Sequence, residues 1–283
     1  MDIVILGYTA HPCTRTIVKE CKRRGIPIKA LVQKTRVDYP PEFVLQNLMS
    51  ESLTGRDLFR RVFNVDNFKW AVYNPGFALG FLKLLLGRRL RSEEKQVQPV
   101  RIFKSADVDF EGLIVKTVDD FNSKGAERLL QHLAPDLIIL GPAAQIIKGN
   151  ILRIPRIGTL NAHQGLLPKY RGMDVMEYSI LSGDELGITI HFVDEGVDTG
   201  DIILRRYLRV SKGSTLEDLW EQAITLSMEA LVDTIEMIES GDYQREPQDK
   251  KDGKQFYSIH YPLNDITRSK LQRYAISRSR DHE

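Results

Sequence analysis

Two polar residues stand in a run that predicts a strand: Asn161 and His163, within the stretch 159–163. Because they are two positions apart, their side chains point to the same face of a sheet. Open α/β sheets bind ligands at the carboxyl ends of their strands, where this pair is expected to lie. A later loop, 193–200, adds Asp198 as a third candidate. An amide, an imidazole and a carboxylate that meet in one place favour amide or acyl chemistry.

Each of these groups has a possible role in acyl transfer to an amine. The Asn161 amide can donate a hydrogen bond to the oxyanion, and His163 can donate another or move a proton. The attacking amine must lose a proton, so Asp198 can orient and charge-stabilise His163 or take that proton through water. No serine or cysteine nucleophile is needed if the amine attacks directly. The structural alternative is an Asn that ties a turn and a His that is satisfied in the core.

Alternating strands and helices are predicted to position this group. The order strand 3–6, helix 14–24 and strand 28–32 predicts a parallel α/β sheet. Apolar runs and periodicity predict further strands at 113–115, 137–140, 159–163, 188–192 and 202–210, the fourth of them half-buried. They predict further helices at 124–133, capped by Asn122 or Ser123, at 143–148, at 175–181, capped by Asp174, and at 216–238, capped by Ser214 or Thr215.

The predicted fold class is α/β: a Rossmann-like, mostly parallel sheet with helices on both faces. Residues 1–250 are expected to form the catalytic domain and 251–283 a short C-terminal extension, whose charged end, 268–283, frays. The interval 35–104 breaks the alternation after the second strand and is predicted to be an insertion. Between positions 56 and 104 it carries 11 basic and 4 acidic residues. The insertion fits an acceptor lid or a phosphate- or RNA-binding surface. The structural alternative is a solvated helical excursion whose apolar face packs on the core or on a second subunit, and packing on a second subunit would give a homodimer.

Composition argues against several other classes of protein. Net charge is +2, from 40 basic and 38 acidic residues, so no overall field marks a nucleic-acid-binding protein. Cys13 and Cys21 have the spacing of neither a zinc pair nor a CxxC motif and indicate a reducing compartment. The N-terminus lacks a basic leader and no apolar run is long enough to cross a bilayer, so we expect a cytoplasmic protein without a membrane partner. His163, His191 and Asp194 lack HxH or HExxH spacing, so no metal is expected.

Two separated motifs occur in the order typical of one family: NAHQGLLPKYRG at 161–172 and DTGD at 198–201. They resemble the folate-dependent formyltransferases, which include glycinamide ribonucleotide, methionyl-tRNA and sugar N-formyltransferases. The resemblance covers roughly residues 113–249 together with the first strand and helix. It implies the formyltransferase fold, a catalytic group of Asn161, His163 and Asp198, and N10-formyltetrahydrofolate as co-substrate.

The resemblance also implies a pterin pocket made by the segment before the catalytic strand and by the loop before the catalytic Asp. In this chain the matching residues are Gln145, Ile146, Ile147, Val193, Asp194, Glu195, Gly196 and Val197. The predicted acceptor contacts are Gly165, Lys169, Tyr170, Arg171 and His11. Lys169 and Arg171 can meet a phosphate. The alternative for Lys169 and Arg171 is ordinary surface charge. The alternative for the two isoleucines is core packing, and for His11 it is no functional role.

The chain departs from the family's pattern at several points. Gly165 stands where relatives usually carry Ser, and Gln145 stands where some carry Arg. The insertion is longer than in compact members, and the C-terminus is too short for the barrel of methionyl-tRNA formyltransferases. We therefore expect formyl transfer to a primary amine of a small acceptor, such as an amino sugar nucleotide or another small amine, and tRNA is the less favoured acceptor. The alternatives are a formyltetrahydrofolate hydrolase, a methionyl-tRNA or glycinamide ribonucleotide formyltransferase, and a non-catalytic binding module.

Overall fold

A computed structural model describes residues 1–9, 11–35, 108–141, 145–259 and 261–280. The predicted insertion 35–104 lies outside these residues apart from its first position, so its proposed roles stay predictions. Among the helices that the structure describes, none combines the length and apolarity needed to cross a membrane.

A seven-stranded sheet positions the candidate site. Its strands are β1 (Ile3–Leu6), β2 (Ile28–Lys34), β3 (Ile114–Val118), β4 (Leu137–Leu140), β5 (Gly158–His163), β7 (Gly187–Phe192) and β8 (Ile202–Tyr207). Across the sheet they are ordered β3-β2-β1-β4-β5-β7-β8. The pairs from β3 to β5 are parallel, whereas β7 is antiparallel to both β5 and β8. Two short strands, β6 (Tyr170–Gly172) and β9 (Lys254–Phe256), form a separate parallel pair.

Helices cover both faces of this sheet, so the predicted Rossmann-like class is confirmed. They are α1 (Pro12–Arg24), α2 (Lys124–Leu133), α3 (Gly149–Leu152), α4 (Val175–Ser182), α5 (Leu216–Ser240) and α6 (Tyr261–Arg280). Alternate residues of β1 enter two cores: Ile3 and Ile5 pack with α1 and α5, and Val4 and Leu6 pack with α2 and α3. This alternation explains why a short, wholly apolar run forms a central strand buried on both faces.

Local signals place several elements correctly. The strands at 3–6 and 137–140 and the helix at 124–133 have the predicted bounds. The Ser123 hydroxyl caps α2 by accepting from the Ala126 N–H at 3.1 Å. Thr215 and Asp218 form a reciprocal capping box at the start of α5. The sequence features that predicted these helix boundaries correctly lie within a few residues of the end of the helix.

Three predictions about individual elements are wrong. Residues 145–148 are not helical, and α3 begins only at Gly149. The Asn122 side chain holds this segment by donating to the Ile146 carbonyl at 2.9 Å and accepting from the Lys148 N–H at 2.8 Å. Strand β7 is buried along its whole length rather than half-buried.

The third correction concerns the cap of α4. Asp174 precedes the helix as predicted, but its side chain makes no capping hydrogen bond. Its carboxylate instead accepts from the Ile259 N–H at 2.8 Å, which ties the start of α4 to the C-terminal segment.

The charged C-terminus is a helix docked on the domain, so the prediction that it frays from residue 268 is also wrong. Leu271, Tyr274 and Ala275 in α6 are buried. The Tyr274 hydroxyl donates to the Asp184 carbonyl at 2.6 Å. These three residues fall on one helical face, and a short apolar stripe among many charges is easily missed by composition.

Glu177 on α4 is a buried carboxyl group in this region. It is 4% exposed, and its Oε1 accepts from the Trp220 indole N–H at 3.2 Å. Its Oε2 has no hydrogen-bond partner among the described residues. Burial, with a further contribution from the nearby Asp174 charge, raises the pKa of Glu177 to about 7.

We expect Glu177→Gln to reduce the loss of stability that accompanies rising pH. A carboxyl whose folded pKa exceeds its unfolded pKa stabilises the fold fully below the unfolded value and loses that contribution as pH rises through the folded value. The variant should therefore lose about 2 kcal/mol less unfolding free energy than wild type between pH 5 and 8. Urea unfolding at both pH values measures this. Glu221→Gln, the same change at an exposed position of α5, is the control, and equal pH dependence in all three proteins would contradict the expectation.

Candidate active site

Four polar side chains share one face of the sheet where β5 ends beside β7. Asn161 pairs directly with His191 across the two strands, and His163 pairs with Thr189. Since alternate residues of a strand face the same side, the register brings both members of the predicted pair next to two residues of β7.

His163 is held in one tautomer. Its Nε2 lies 2.7 Å from the Tyr170 carbonyl, which can only accept, so Nε2 carries the hydrogen. Its Nδ1 lies 3.5 Å from Oδ2 of Asp198. Burial lowers the pKa of His163, and the Asp198 charge opposes this. A neutral imidazole therefore presents Nδ1 as a proton acceptor next to a carboxylate.

Asp198 stands at the centre of the group. Its Oδ2 accepts from the Gly172 N–H at 2.9 Å, and its Oδ1 lies 3.6 Å from Nε2 of His191. Burial alone would raise the pKa of Asp198, but His191, His163 and the Gly172 N–H outweigh it and lower the pKa to about 2. The carboxylate is therefore ionised at neutral pH.

Asn161 is oriented by His191. The Nδ1 of His191 lies 2.7 Å from the Phe192 carbonyl, so Nδ1 carries a hydrogen, and Nε2 is an acceptor when the ring is neutral. Nδ2 of Asn161 donates to this Nε2 at 3.2 Å. The second hydrogen of the Asn161 amide makes no hydrogen bond with the described residues and can be offered to a substrate oxygen.

The loop after β5 packs closely on the imidazole. The Thr189 hydroxyl donates to the Gly165 carbonyl at 2.7 Å and accepts from the Leu167 N–H at 3.1 Å. A Cβ on Gly165 would lie 2.8 Å from Nε2 of His163 and 2.5 Å from Cγ2 of Val175. Glycine at position 165 thus lets the loop close against His163.

The predicted acceptor residues on this loop differ in their surroundings. Lys169 forms an ion pair with Asp184 at 2.6 Å, and its side chain is 61% exposed. The Tyr170 hydroxyl also donates to Asp184. Arg171 is only 4% exposed, and its guanidinium donates to Oε1 of Gln248 at 3.0 and 3.3 Å. Burial favours a structural role for Arg171, while Lys169 stays in contact with solvent.

His11 lies at the start of α1, where its Nδ1 accepts from the Cys13 N–H at 3.1 Å. Burial lowers the pKa of His11 to about 4, so the ring is neutral at pH 7. Any acceptor contact that it makes would therefore be a hydrogen bond rather than an ion pair.

Gln145 belongs to the predicted pterin segment before α3, and its two side-chain amide atoms differ in their hydrogen bonding. Nε2 of Gln145 donates to Asp120 at 2.6 Å, whereas its buried Oε1 has no partner among the described residues. Ile146 is 70% exposed, but Ile147 is 2% exposed and belongs to the core beneath α2 and α3. The segment therefore contains one buried acceptor atom and one exposed aliphatic side chain.

The second predicted pterin segment, 193–197, contacts α3, which follows the first segment in the chain. Glu195 pairs with Arg153 at 3.2 Å. A Cβ on Gly149 would lie 2.2 Å from Oε1 of Glu195, so the start of α3 and this loop are in close contact. The Asp194 carboxylate accepts from the Gly196 N–H at 3.0 Å, which shapes the loop locally.

Residues 85–235, more than half of the chain, match the family model described as Formyl transferase. The chain belongs to the formyl transferase family.

Related proteins match different lengths of this chain. The methionyl-tRNA formyltransferase of Methylacidiphilum infernorum (isolate V4) is 38% identical over 131 residues, which are 46% of this chain and 41% of that protein. The chain thus spans less than half the length of this relative. A sugar N-formyltransferase from Shewanella sp FDAARGOS_354 has a TM-score of 0.55 at 14% identity over 96% of this chain and 87% of that one. Glycinamide ribonucleotide transformylase 1 from Symbiobacterium toebii has a TM-score of 0.53 at 19% identity over 88% and 94% of the two chains. At these identities the two structures establish the formyltransferase fold.

Sequence reasoning did not place His191 beside Asn161 in this formyl transferase family member, because it considered the residue only as a metal ligand. The alternation along β7 places His191 on one face with Thr189, but it does not reveal which residues of β5 lie opposite. In the described part of the chain, no group of three or more His, Cys, Asp or Glu side chains could hold a metal ion.

His191→Leu is expected to lower kcat by about 10- to 100-fold, because a small displacement of a catalytic group is costly. The change removes the acceptor that orients the Asn161 amide and one neighbour that lowers the pKa of Asp198. Steady-state kcat and KM for formyl transfer measure the effect. His132→Leu, at an exposed position of α2, is the matched control. A folded His191→Leu protein with wild-type kcat would show that Asn161 needs no such partner.

Proposed function

We propose that this chain transfers a formyl group from N10-formyltetrahydrofolate to a primary amine of a small acceptor. The observation that carries the proposal is the convergence of three side chains. Nδ1 of His163 lies 3.5 Å from the Asp198 carboxylate, and Asn161 contacts His191, whose Nε2 lies 3.6 Å from the same carboxylate. Membership of the formyl transferase family supports the same reaction class.

The arrangement supplies the two things that acyl transfer to an amine needs. The carbonyl oxygen gains negative charge, and the remaining N–H of Asn161 is a donor for it; loss of such a donor typically costs about 3–4 kcal/mol. The attacking nitrogen must lose a proton, and Nδ1 of His163 can take it. The imidazolium so formed is stabilised by the ionised Asp198, because opposite charges attract strongly in a buried site.

The residues of the predicted pterin segments fit a folate. A flat heterocycle needs hydrogen-bond partners at its edge and apolar cover on its faces. The exposed side chain of Ile146 offers apolar cover, and the buried Oε1 of Gln145, which has no partner among the described residues, is an acceptor in the same segment. The backbone of the loop 193–197, which contacts α3, would supply further edge contacts. When bound, N10-formyltetrahydrofolate supplies the formyl group.

An amino sugar nucleotide is the first acceptor candidate, as the sequence predicts. Methionyl-tRNA is the second, because a relative 38% identical over 131 residues is a methionyl-tRNA formyltransferase. Glycinamide ribonucleotide is the third acceptor to be compared. The acceptor's phosphate could meet Lys169, which lies on the loop after β5 with a side chain that is 61% exposed.

Release of tetrahydrofolate from N10-formyltetrahydrofolate tests the proposal. The purified protein is incubated with the donor and, separately, with a panel of amino sugar nucleotides, methionyl-tRNA or glycinamide ribonucleotide. Tetrahydrofolate and a formylated amine should form together and only when a suitable acceptor is present. Formate produced without any acceptor would indicate that the protein is a formyltetrahydrofolate hydrolase and not a transferase. No turnover with any of them would favour the non-catalytic binding module.

A further inference from the structure

Gln248, in the segment that follows α5, contacts both loops that build the candidate site. Its Nε2 donates to the carbonyl oxygens of Asp198 at 3.1 Å and of Gly200 at 2.6 Å. Its Oε1 accepts from Arg171 at 3.0 and 3.3 Å. The two ends of one half-buried amide therefore connect the turn 198–200 to β6.

The partners of this amide allow only one orientation. A guanidinium has donors only and backbone carbonyls only accept, so the oxygen must face Arg171 and the nitrogen must face the turn. Glu at position 248 would keep the contact with Arg171 but would place a carboxylate oxygen against two carbonyl oxygens. Glutamine is thus matched to both partners, and Gln248→Glu breaks one link selectively.

The turn held by Gln248 carries the candidate catalytic carboxylate in a demanding conformation. Asp198 has φ 52°, in the left-handed region, which costs a non-glycine residue roughly 1–2 kcal/mol. From this backbone its Oδ2 must reach the Gly172 N–H at 2.9 Å and lie 3.5 Å from Nδ1 of His163. A small rotation of the turn would move the carboxylate away from both.

The other end of the link, β6, is fixed by β9. The Lys254 N–H donates to the Lys169 carbonyl, and the Met173 N–H donates to the Phe256 carbonyl, each at 3.1 Å. A Cβ on Gly253 would lie 1.6 Å from the Pro168 carbonyl oxygen, so the two backbones are in direct contact there. Strand β6 is therefore a firm reference to which the turn is tied.

We propose that Gln248 is a positioning residue for Asp198: it holds the turn 198–200 against β6 so that the carboxylate stays within reach of His163. The inference rests on the proposed function. Gln248 touches none of the reacting groups itself, since its contacts are the backbone of the turn and Arg171. It also lies beyond residues 85–235, the stretch that matches the family.

A double-variant cycle tests this role. Gln248→Glu is expected to lower kcat by about tenfold, with a smaller change in KM, because displacement of a catalytic group weakens the chemical step. In the Asp198→Asn background the same change should have little further effect on kcat, since no carboxylate remains to be positioned. Gln255→Glu, the same change at an exposed position of β9, should leave kcat unchanged. An equal fold-loss from Gln248→Glu in both backgrounds would overturn the proposal.

Amide hydrogen exchange separates this proposal from the proposed function. In Gln248→Glu, amides of residues 196–201 should exchange faster than in wild type, while those of the β1–β4 core should not. This result would support the positioning role even if the wild-type protein transferred no formyl group, in which case only the proposed function would fail. Unchanged exchange at 196–201, or an active wild type whose kcat Gln248→Glu does not lower, would overturn the positioning role alone.

Discussion

Asp198→Asn is expected to lower kcat for formyl transfer by about 10²- to 10⁴-fold, the usual contribution of positioned proton transfer. The carboxylate is ionised, because its pKa is lowered to about 2, and it lies 3.5 Å from Nδ1 of His163. A proton taken up at Nδ1 is therefore stabilised by a negative charge that a neutral amide does not supply. Steady-state kcat at saturating donor and acceptor measures the loss.

Asparagine is the right replacement because the backbone at this position is left-handed, with φ 52°. Asn tolerates this region better than most residues, so the variant should keep the turn. Its side-chain oxygen can still accept from the Gly172 N–H, as the carboxylate does at 2.9 Å. The substitution thus removes the charge and leaves the local geometry, whereas Asp198→Ala would change both.

The pH dependence of kcat gives a second readout for the same variant. Burial lowers the pKa of His163 from its ordinary value of 6.5, and the Asp198 charge opposes this effect. The neutral imidazole is the form that takes up a proton, so the rate falls as pH decreases through the pKa of His163. Without the Asp198 charge that pKa is lower still, and the acid limb of the profile should move to lower pH.

Asp242→Asn is the control for this prediction, since Asp242 is exposed and lies beyond the end of α5. It should have the wild-type kcat and pH profile. If Asp198→Asn also kept a wild-type kcat, or if its acid limb moved to higher pH, the proposed pairing of Asp198 with His163 would be wrong.

The sequence predicted the parts of the fold that are encoded locally. The core strand 3–6 is an uninterrupted apolar run, and the helix 124–133 has its cap and its stripe within a few residues. The docked helix α6 was missed because its buried face consists of a few residues, among them Leu271 and Tyr274, in a segment dominated by charges. What decides its conformation is the surface of α4 on which it packs, which no local pattern reports.

The same distinction applies to the candidate site. Asn161 and His163 could be paired from the sequence because they are two positions apart on one strand. His191 could not be added, since its place opposite Asn161 depends on the antiparallel register of β5 and β7. No sequence pattern pointed to Gln248, because a glutamine in a polar segment is ordinary. Its placement depends on the tertiary contact between this segment and the turn 198–200.

Asn161→Ala is expected to lower kcat by about 10²- to 10³-fold, the usual cost of removing one oxyanion donor. The Asn161 amide is oriented by His191 at 3.2 Å, so its second N–H is a directed donor that water cannot replace with the same geometry. Affinity for tetrahydrofolate, measured by calorimetry, should change little, because the predicted pterin segments do not include this residue. Asn150→Ala, which removes an amide bonded to Glu127 at 3.0 Å, is the control and should keep its kcat.

Combining Asn161→Ala with Asp198→Asn tests whether the two residues act on one transition state. If Asn161 stabilises the oxyanion while His163 and Asp198 take the amine's proton, each variant already disables the same step, and the double variant should be little slower than the worse single one. Fully multiplicative losses would instead indicate that the two residues contribute independently. A double variant that binds tetrahydrofolate normally and turns over at the rate of the worse single variant would identify Asn161, His163 and Asp198 as a single catalytic unit.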